Sequence, residues 1–166
     1  HWLYFDKAGE STNTFSAEAM SELRNIATEL GAASGGERPR GLVVLSAKDS
    51  GFIAGADVRE FTAIATPEEA VTLVRRGWDT FNEFAALPFP TLALIRGFCM
   101  GGGLELALAC TYRIAVDEPG TRLALPEVML GIVPGWGGMK RLPKTIGAPA
   151  ALDMMLTGRT VDARKA

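Results

Sequence analysis

Two glutamates and two glycine-bearing turns are the residues of this chain whose types and spacing could do chemistry. Phe52-Ile53-Ala54-Gly55-Ala56-Asp57 and Gly101-Gly102-Gly103-Leu104-Glu105 each read as a tight turn leading into a helix. Such turns can aim backbone N–H groups at one spot. Two donors converging on one oxygen make an oxyanion hole, which stabilises negative charge as it develops on a carbonyl. Glu105 stands directly behind the second turn, and Glu127 follows in Leu125-Pro126-Glu127. Together these residues offer carbonyl activation beside two groups able to give or take a proton.

Each feature also has a plainer reading. Glu105 sits among Leu104, Leu106, Ala107, Leu108 and Ala109, a helix apolar on every other side and therefore buried. A buried carboxylate costs several kcal/mol, on the order of what desolvation data give, unless it is paired or used. The alternative is a first-turn acid answering the helix dipole, worth ~0.3–1 kcal/mol. Glu127, behind Pro126, suits a helix first turn in the same way. The three glycines at 101–103 permit close packing, and they also place free N–H groups at a positive helix end, which suits an anion or an oxyanion. Ala54 to Asp57 is either a plain turn with Asp57 as an N-cap or a small-residue approach to a bulky ligand. Pro134-Gly135-Trp136-Gly137-Gly138 reads as a turn into a helix, with Trp136 as a packing anchor or a ligand contact.

The elements that must position these residues alternate between strand and helix. Trp2-Leu3-Tyr4-Phe5 reads as a strand. Ser16 caps a helix over Ala17 to Leu30, which Gly31 stops. Ser34 to Pro39 is a loop, and Gly41 to Ser46 is a continuous apolar run, as in a strand buried on both faces. Pro67 and two glutamates open a long helix with Val71, Val74, Trp78, Phe81 and Phe84 or Ala85 on one stripe. Leu87 to Pro90 breaks it. Thr91 to Ile95 is a second buried strand, Leu104 to Cys110 a short helix, and Tyr112 to Val116 and Arg122 to Leu125 are further strands. A helix follows the turn at 134–138, and Pro149 to Leu156 is another. This alternation predicts an α/β domain of strand–turn–helix units. No internal repeat, low-complexity tract or interdomain linker is visible.

Bulk properties exclude several classes. The 166 residues suffice for one domain with a sizeable core, and a 48% hydrophobic content marks it as globular. Seventeen basic against 19 acidic residues give a net charge of −2, with basic residues scattered apart from pairs at Arg75-Arg76 and Lys140-Arg141. That argues against a nucleic-acid partner. The single histidine is terminal, which removes Ser-His-Asp and Cys-His catalysis and the usual zinc ligand sets. Cys99 and Cys110 are expected to be reduced and buried, as in a cytoplasmic protein. No apolar run reaches the ~20 residues of a membrane span. Neither G-x-G-x-x-G nor a P-loop occurs, which disfavours a nucleotide-binding domain. The chain starts without Met inside a strand, and the expectation is a fragment of a longer protein.

Taken in order and spacing, the 52–57 segment, Arg96 to Ala107, Leu125-Pro126-Glu127 and Pro134 to Gly138 resemble the crotonase (enoyl-CoA hydratase/isomerase) superfamily over nearly the whole chain. Phe5 to Thr14, Gly103 to Cys110 and Leu125 to Val128 look like its multifunctional β-oxidation subgroup. The resemblance implies a crotonase-like α/β spiral of repeated ββα units, truncated at both ends, with residues 1–166 as one domain of a longer multifunctional protein. It implies that Ala56 and Gly102 N–H hold an acyl-thioester oxygen, that Glu105 activates water for attack at C3 and that Glu127 delivers a proton to C2. Gly135 N–H would orient the water, and Ala54, Gly55 and Asp57 would line the CoA adenine pocket through their backbone. The implied activity is hydration of trans-2-enoyl-CoA, with 3-enoyl-CoA isomerisation as the nearest rival and a non-catalytic CoA-binding module as a more distant one. No cofactor or metal is implied, since CoA arrives with the substrate. The implied partners are the acyl-CoA thioester and either further copies of the chain or a multienzyme complex.

Overall fold

A computed structural model describes all residues from 1 to 166. Three ββα units organise it. In the first, β2 (Leu42–Ser46) and β3 (Gly51–Ile53) lead into helices α2 (Val58–Phe61) and α3 (Pro67–Ala85). In the second, β4 (Thr91–Ile95) and β5 (Phe98–Met100) lead into α4 (Gly102–Ala109). In the third, β6 (Tyr112–Ala115) and β7 (Arg122–Ala124) lead through a 3-10 turn at Glu127–Leu130 into α5 (Gly138–Ile146). Before them stand β1 (Trp2–Phe5) and α1 (Ala17–Ala32), and after them α6 (Ala148–Thr157) and β8 (Val161–Asp162).

Each unit contributes its first strand to one sheet, ordered β1-β2-β4-β6, and its second to another, ordered β3-β5-β7-β8. Every pairing is parallel except β7 with β8. The chain therefore advances as a spiral, one strand along each sheet per turn. This matches the α/β spiral expected above, although the repeat lies in the backbone and not in the residues.

The short strands β3 and β5 fall where the residues read only as approach to a turn. Three residues are too few to display a period, yet Phe52, Ile53 and Cys99 are buried without measurable exposure. Helix α1 runs two residues past Leu30, through Gly31 to Ala32. On α3 the buried positions are Gly77, Thr80, Phe81 and Phe84, whereas Val71 and Val74 are 56% and 42% exposed. The inward stripe starts a turn later than its apolar spacing predicts. Gly77 explains the offset, because the Trp136 ring lies where its side chain would be.

Three aromatic rings knit the layers together around the site. Phe15, Phe81 and Trp136 meet edge to face at centroid distances of 5.4, 5.9 and 5.7 Å, a favoured arrangement of ring quadrupoles. Trp136 is thus a packing anchor, 8% exposed. Every residue of α4 is buried, so this helix is the spine of the core and carries Glu105 to its centre.

Candidate active site

Helix α4 is preceded by Gly101 as its N-cap, whose φ of 50° and ψ of −125° suit only glycine. A Cβ there would stand 2.8 Å from Glu127 Oε1 and 3.7 Å from Gly55 Cα. The other glycine turn reciprocates. Gly55 has φ 105°, and a Cβ on it would lie 3.2 Å from Met100 O and 3.6 Å from Gly102 N. The two turns singled out in the sequence are therefore packed backbone to backbone, with Glu127 against them.

Backbone hydrogen bonding leaves one N–H of each turn unused. Phe15 N–H donates to Gly55 O and Asp57 N–H donates to Phe15 O, both at 2.8 Å, and the Ala56 N–H between them is passed by. Gly102 is the first residue of α4, so its N–H has no partner within the helix. Ala56 also borders a small open-mouthed cavity of about 20 Å3 that Phe15, Leu73 and Trp136 help to line. Neither glutamate is on that wall.

Glu105 is 2% exposed. Its Oε1 accepts from Trp136 N–H and Gly138 N–H, each at 2.8 Å. Glu127 is 9% exposed, and its Oε2 is buried with no hydrogen-bond partner. Burial pushes both carboxyls above the ordinary range, to about 8 for Glu105 and about 7 for Glu127. At Glu105 the Gly138 and Trp136 N–H bonds and the charge of Arg141 oppose the rise, while the charge of Glu127 adds to it. The two N–H donors ease the charging of Glu105 without overcoming its burial, whereas Glu127 has one oxygen with no partner at all.

The structure thus brings together Glu105, Glu127, Gly102, Ala56 and Gly55. Ala54 is half-buried nearby, its N–H donating to Asn13 O. Asp57 caps α2 by accepting from Arg59 N–H, as its position suggested. Its carboxylate also takes the Arg59 guanidinium and the Lys7 ammonium at 2.7–2.9 Å, which hold it well below the usual carboxylate range. Gly135 makes no hydrogen bond to Glu105; the donors from that turn are its neighbours Trp136 and Gly138. Backbone donors leave no residue signature, and only the paired glycines at 137–138 marked the place. Asn13, 1% exposed, also carried no chemical signal, yet its side chain ties Phe5 O, Ser46 Oγ and Phe52 O to the loop that reaches Ala54.

Other chemistries lack their groups. Cys99 and Cys110 are free and buried, and burial raises both thiols, Cys110 to about 12, so neither is a ready nucleophile. No three His, Cys, Asp or Glu side chains come together as a metal cluster. No helix is long and apolar enough to cross a membrane.

Comparison with known proteins places this geometry. Residues 7–166 match the family described as Enoyl-CoA hydratase/isomerase. Over 165 residues the chain is 46% identical to the fatty acid oxidation complex subunit alpha of Vibrio campbellii and 47% identical to that of Vibrio cholerae. In both cases 99% of this chain aligns with 23% of the relative, so it spans under a quarter of their length. Among solved structures, an enoyl-CoA hydratase from Bacillus anthracis superposes with a TM-score of 0.88 at 34% identity, covering 99% of this chain and 61% of that one. One from Geobacillus kaustophilus superposes with a TM-score of 0.91 at 30% identity, covering 99% and 60%.

Proposed function

The chain belongs to the enoyl-CoA hydratase/isomerase family, and from that premise we propose that it adds water to trans-2-enoyl-CoA thioesters to give 3-hydroxyacyl-CoA in fatty acid β-oxidation. The observation that carries this reading is the asymmetry of the two buried carboxyls, one held by two N–H donors and the other with an unpartnered oxygen.

The thioester oxygen accepts from Ala56 N–H and Gly102 N–H. Charge moves onto that oxygen as C3 is attacked, and the two donors stabilise the enolate-like transition state. Glu105 takes a proton from water as its oxygen bonds to C3. Glu127 delivers a proton to C2, so that one water has been added across the double bond. The glutamates exchange their proton before the next turnover. Holding one carboxyl charged and its neighbour protonated needs only unequal surroundings. Ala54, Gly55 and Asp57 present backbone to the CoA adenine, and Gly135 lies beside the water path. CoA enters as part of the substrate, with no separate cofactor or metal.

Moving a double bond from C3 to C2 needs a single carboxylate to shuttle one proton, and the presence of two favours hydration. Residues 1–166 form one crotonase-like domain in this reading. The domain works in the cytoplasm, within a homo-oligomer or as part of a multienzyme complex of the kind the Vibrio relatives' name describes.

Loss of the conjugated-thioester absorbance of crotonyl-CoA tests the proposal. Glu105→Gln and Glu127→Gln are each expected to lower the rate by roughly 10²–10⁴, the span of general acid–base catalysis. A folded chain and a longer natural chain containing it that both leave crotonyl-CoA unchanged would overturn it. Conversion of a 3-enoyl-CoA by such chains would move the assignment to isomerase, and acyl-CoA binding without any turnover would move it to a binding module.

A further inference from the structure

Arg141 takes no part in the proton transfers above, yet it is a half-buried cation placed directly behind the catalytic turn. Its Nη1 donates to Trp136 O at 3.0 Å. Its Nη2 donates to Phe81 O at 3.1 Å and to Asn82 Oδ1 at 2.7 Å. One guanidinium thus joins the turn at 134–138 to the last turns of α3, while the Phe81 and Trp136 rings meet beside it at 5.7 Å.

The carbonyl it holds is strategically placed. The 136–137 peptide lies between the two peptides whose N–H groups, at Trp136 and Gly138, both reach Glu105 Oε1. Gly137, with φ at 119°, is the pivot of that stretch. A glycine pivot leaves the peptide free to rotate unless something holds its oxygen, and the planar fork of an arginine does so at fixed geometry.

We propose that Arg141 is a positioning residue for Glu105: by fixing the Trp136 carbonyl, it keeps the Trp136 and Gly138 N–H groups on the glutamate and so keeps that carboxyl available as a base. The inference rests on the role given to Glu105 under the proposed function. Arg141 also acts through space, since its positive charge favours ionised Glu105. The charged groups around Glu105 are few. Glu127 opposes its ionisation, β3 offers no titratable side chain and β5 only the Cys99 thiol. Arg113 of β6 is spent on the Ala107 and Cys110 carbonyls at the far end of α4. Arg76 of α3 lines the cavity that Trp136 borders, and Lys140 of α5 lies over the Trp78 ring. Arg141 is the one cation behind the turn.

The test compares Arg141→Gln, Arg141→Lys and Asn82→Ala with the parent chain, with urea melts identifying the folded variants. Crotonyl-CoA hydration is followed across pH, and the carboxyl carbons of 13C-labelled glutamate are titrated by NMR, with Glu105 assigned through Glu105→Gln. In Arg141→Gln we expect kcat to fall about tenfold to a hundredfold, as misplacement of a catalytic group does, with KM nearly unchanged. The low-pH limb and the Glu105 titration should both move up by about one pH unit, a tenfold change in ionisation. Arg141→Lys, which keeps the charge without the fork, should hold the limb nearer its parent position yet fail to restore kcat. Asn82→Ala loosens the fork without removing the charge and should give a smaller fall in kcat if the arginine variants do not fold. A folded Arg141→Gln whose limb and Glu105 titration match the parent would overturn the proposal. If neither the parent chain nor a longer natural chain containing it shows turnover, the hydratase reading falls, and the NMR titration alone still decides whether Arg141 governs Glu105.

Discussion

Replacing Glu127 with Gln should make this protein more stable in alkali while removing its activity. Glu127 is 9% exposed, its Oε2 has no partner, and burial raises its carboxyl from the ordinary 4.5 to about 7. Between those values the native state holds a proton that the unfolded chain has released. Stability therefore falls as pH rises through that window, is full below about 4.5, and has lost its whole share above about 7. At 1.36 kcal/mol per pKa unit, the loss is about 3 kcal/mol. Glutamine stays neutral throughout, so the variant escapes it. Its removal also relieves Glu105, whose ionisation the Glu127 charge opposes. Urea melts at pH 5 and pH 8.5 read the effect. At pH 5 the two proteins should differ little. At pH 8.5 the Glu127→Gln midpoint should be higher by about 1–3 M, given denaturant slopes of roughly 1–3 kcal/mol per molar. A parent protein equally stable at both pH values, or a variant offset by the same amount at both, would refute the claim that Glu127 is held uncharged by burial.

Three other substitutions probe how the site is supported. Gly102→Ala would put a methyl 2.5 Å from Trp136 Cζ3, and the indole is held by Phe15 and Phe81. It should cost about 1–3 kcal/mol in urea melts and, by displacing an oxyanion donor, about 10²–10³ in hydration rate. Asn13→Leu leaves Phe5 O and Phe52 O without their buried donor and Lys7 N–H without its acceptor. A loss of about 3 kcal/mol or more is expected, with faster amide exchange in β1 and β3 as the local sign. Thr66→Ala breaks the capping box in which Thr66 Oγ1 accepts from Glu69 N–H and Glu69 Oε2 accepts from Thr66 N–H. That should lower stability by about 1 kcal/mol and leave hydration kinetics unchanged.

The parts of this site legible in the sequence are those where a residue type is costly in its setting. Glu105 stood out because a carboxylate among leucines and alanines needs a reason, and the structure supplies two N–H donors aimed at one of its oxygens. Gly55 and Gly101 stood out because small residues in series signal close approach, and each does lie against the other's turn. The long elements were legible through their period and caps, from Ser16 on α1 to Pro67 on α3. What stayed hidden is of another kind. Strands β3 and β5 are three residues each, too short for alternation to register, and the ββα repeat is a repeat of backbone direction alone.

The same distinction accounts for the residues that were passed over. Trp136 and Gly138 serve Glu105 through peptide N–H groups, which every residue but proline possesses, so no residue type marked them as its donors. Arg141 read as half of an ordinary basic pair with Lys140, but the two side chains go to opposite fates. Lys140 lies over the Trp78 ring, whereas Arg141 turns inward to the Trp136 carbonyl. Only the path of the turn distinguishes them: Gly137 at positive φ brings its backbone to where the Arg141 guanidinium lies, and a Cβ at 137 would leave no room for it. The glycines of Gly135-Trp136-Gly137-Gly138 thus do more than make a bend. They admit the cation that holds the turn and present a donor to Glu105, and alanine at 137 should reproduce much of the Arg141→Gln phenotype with the arginine still in place.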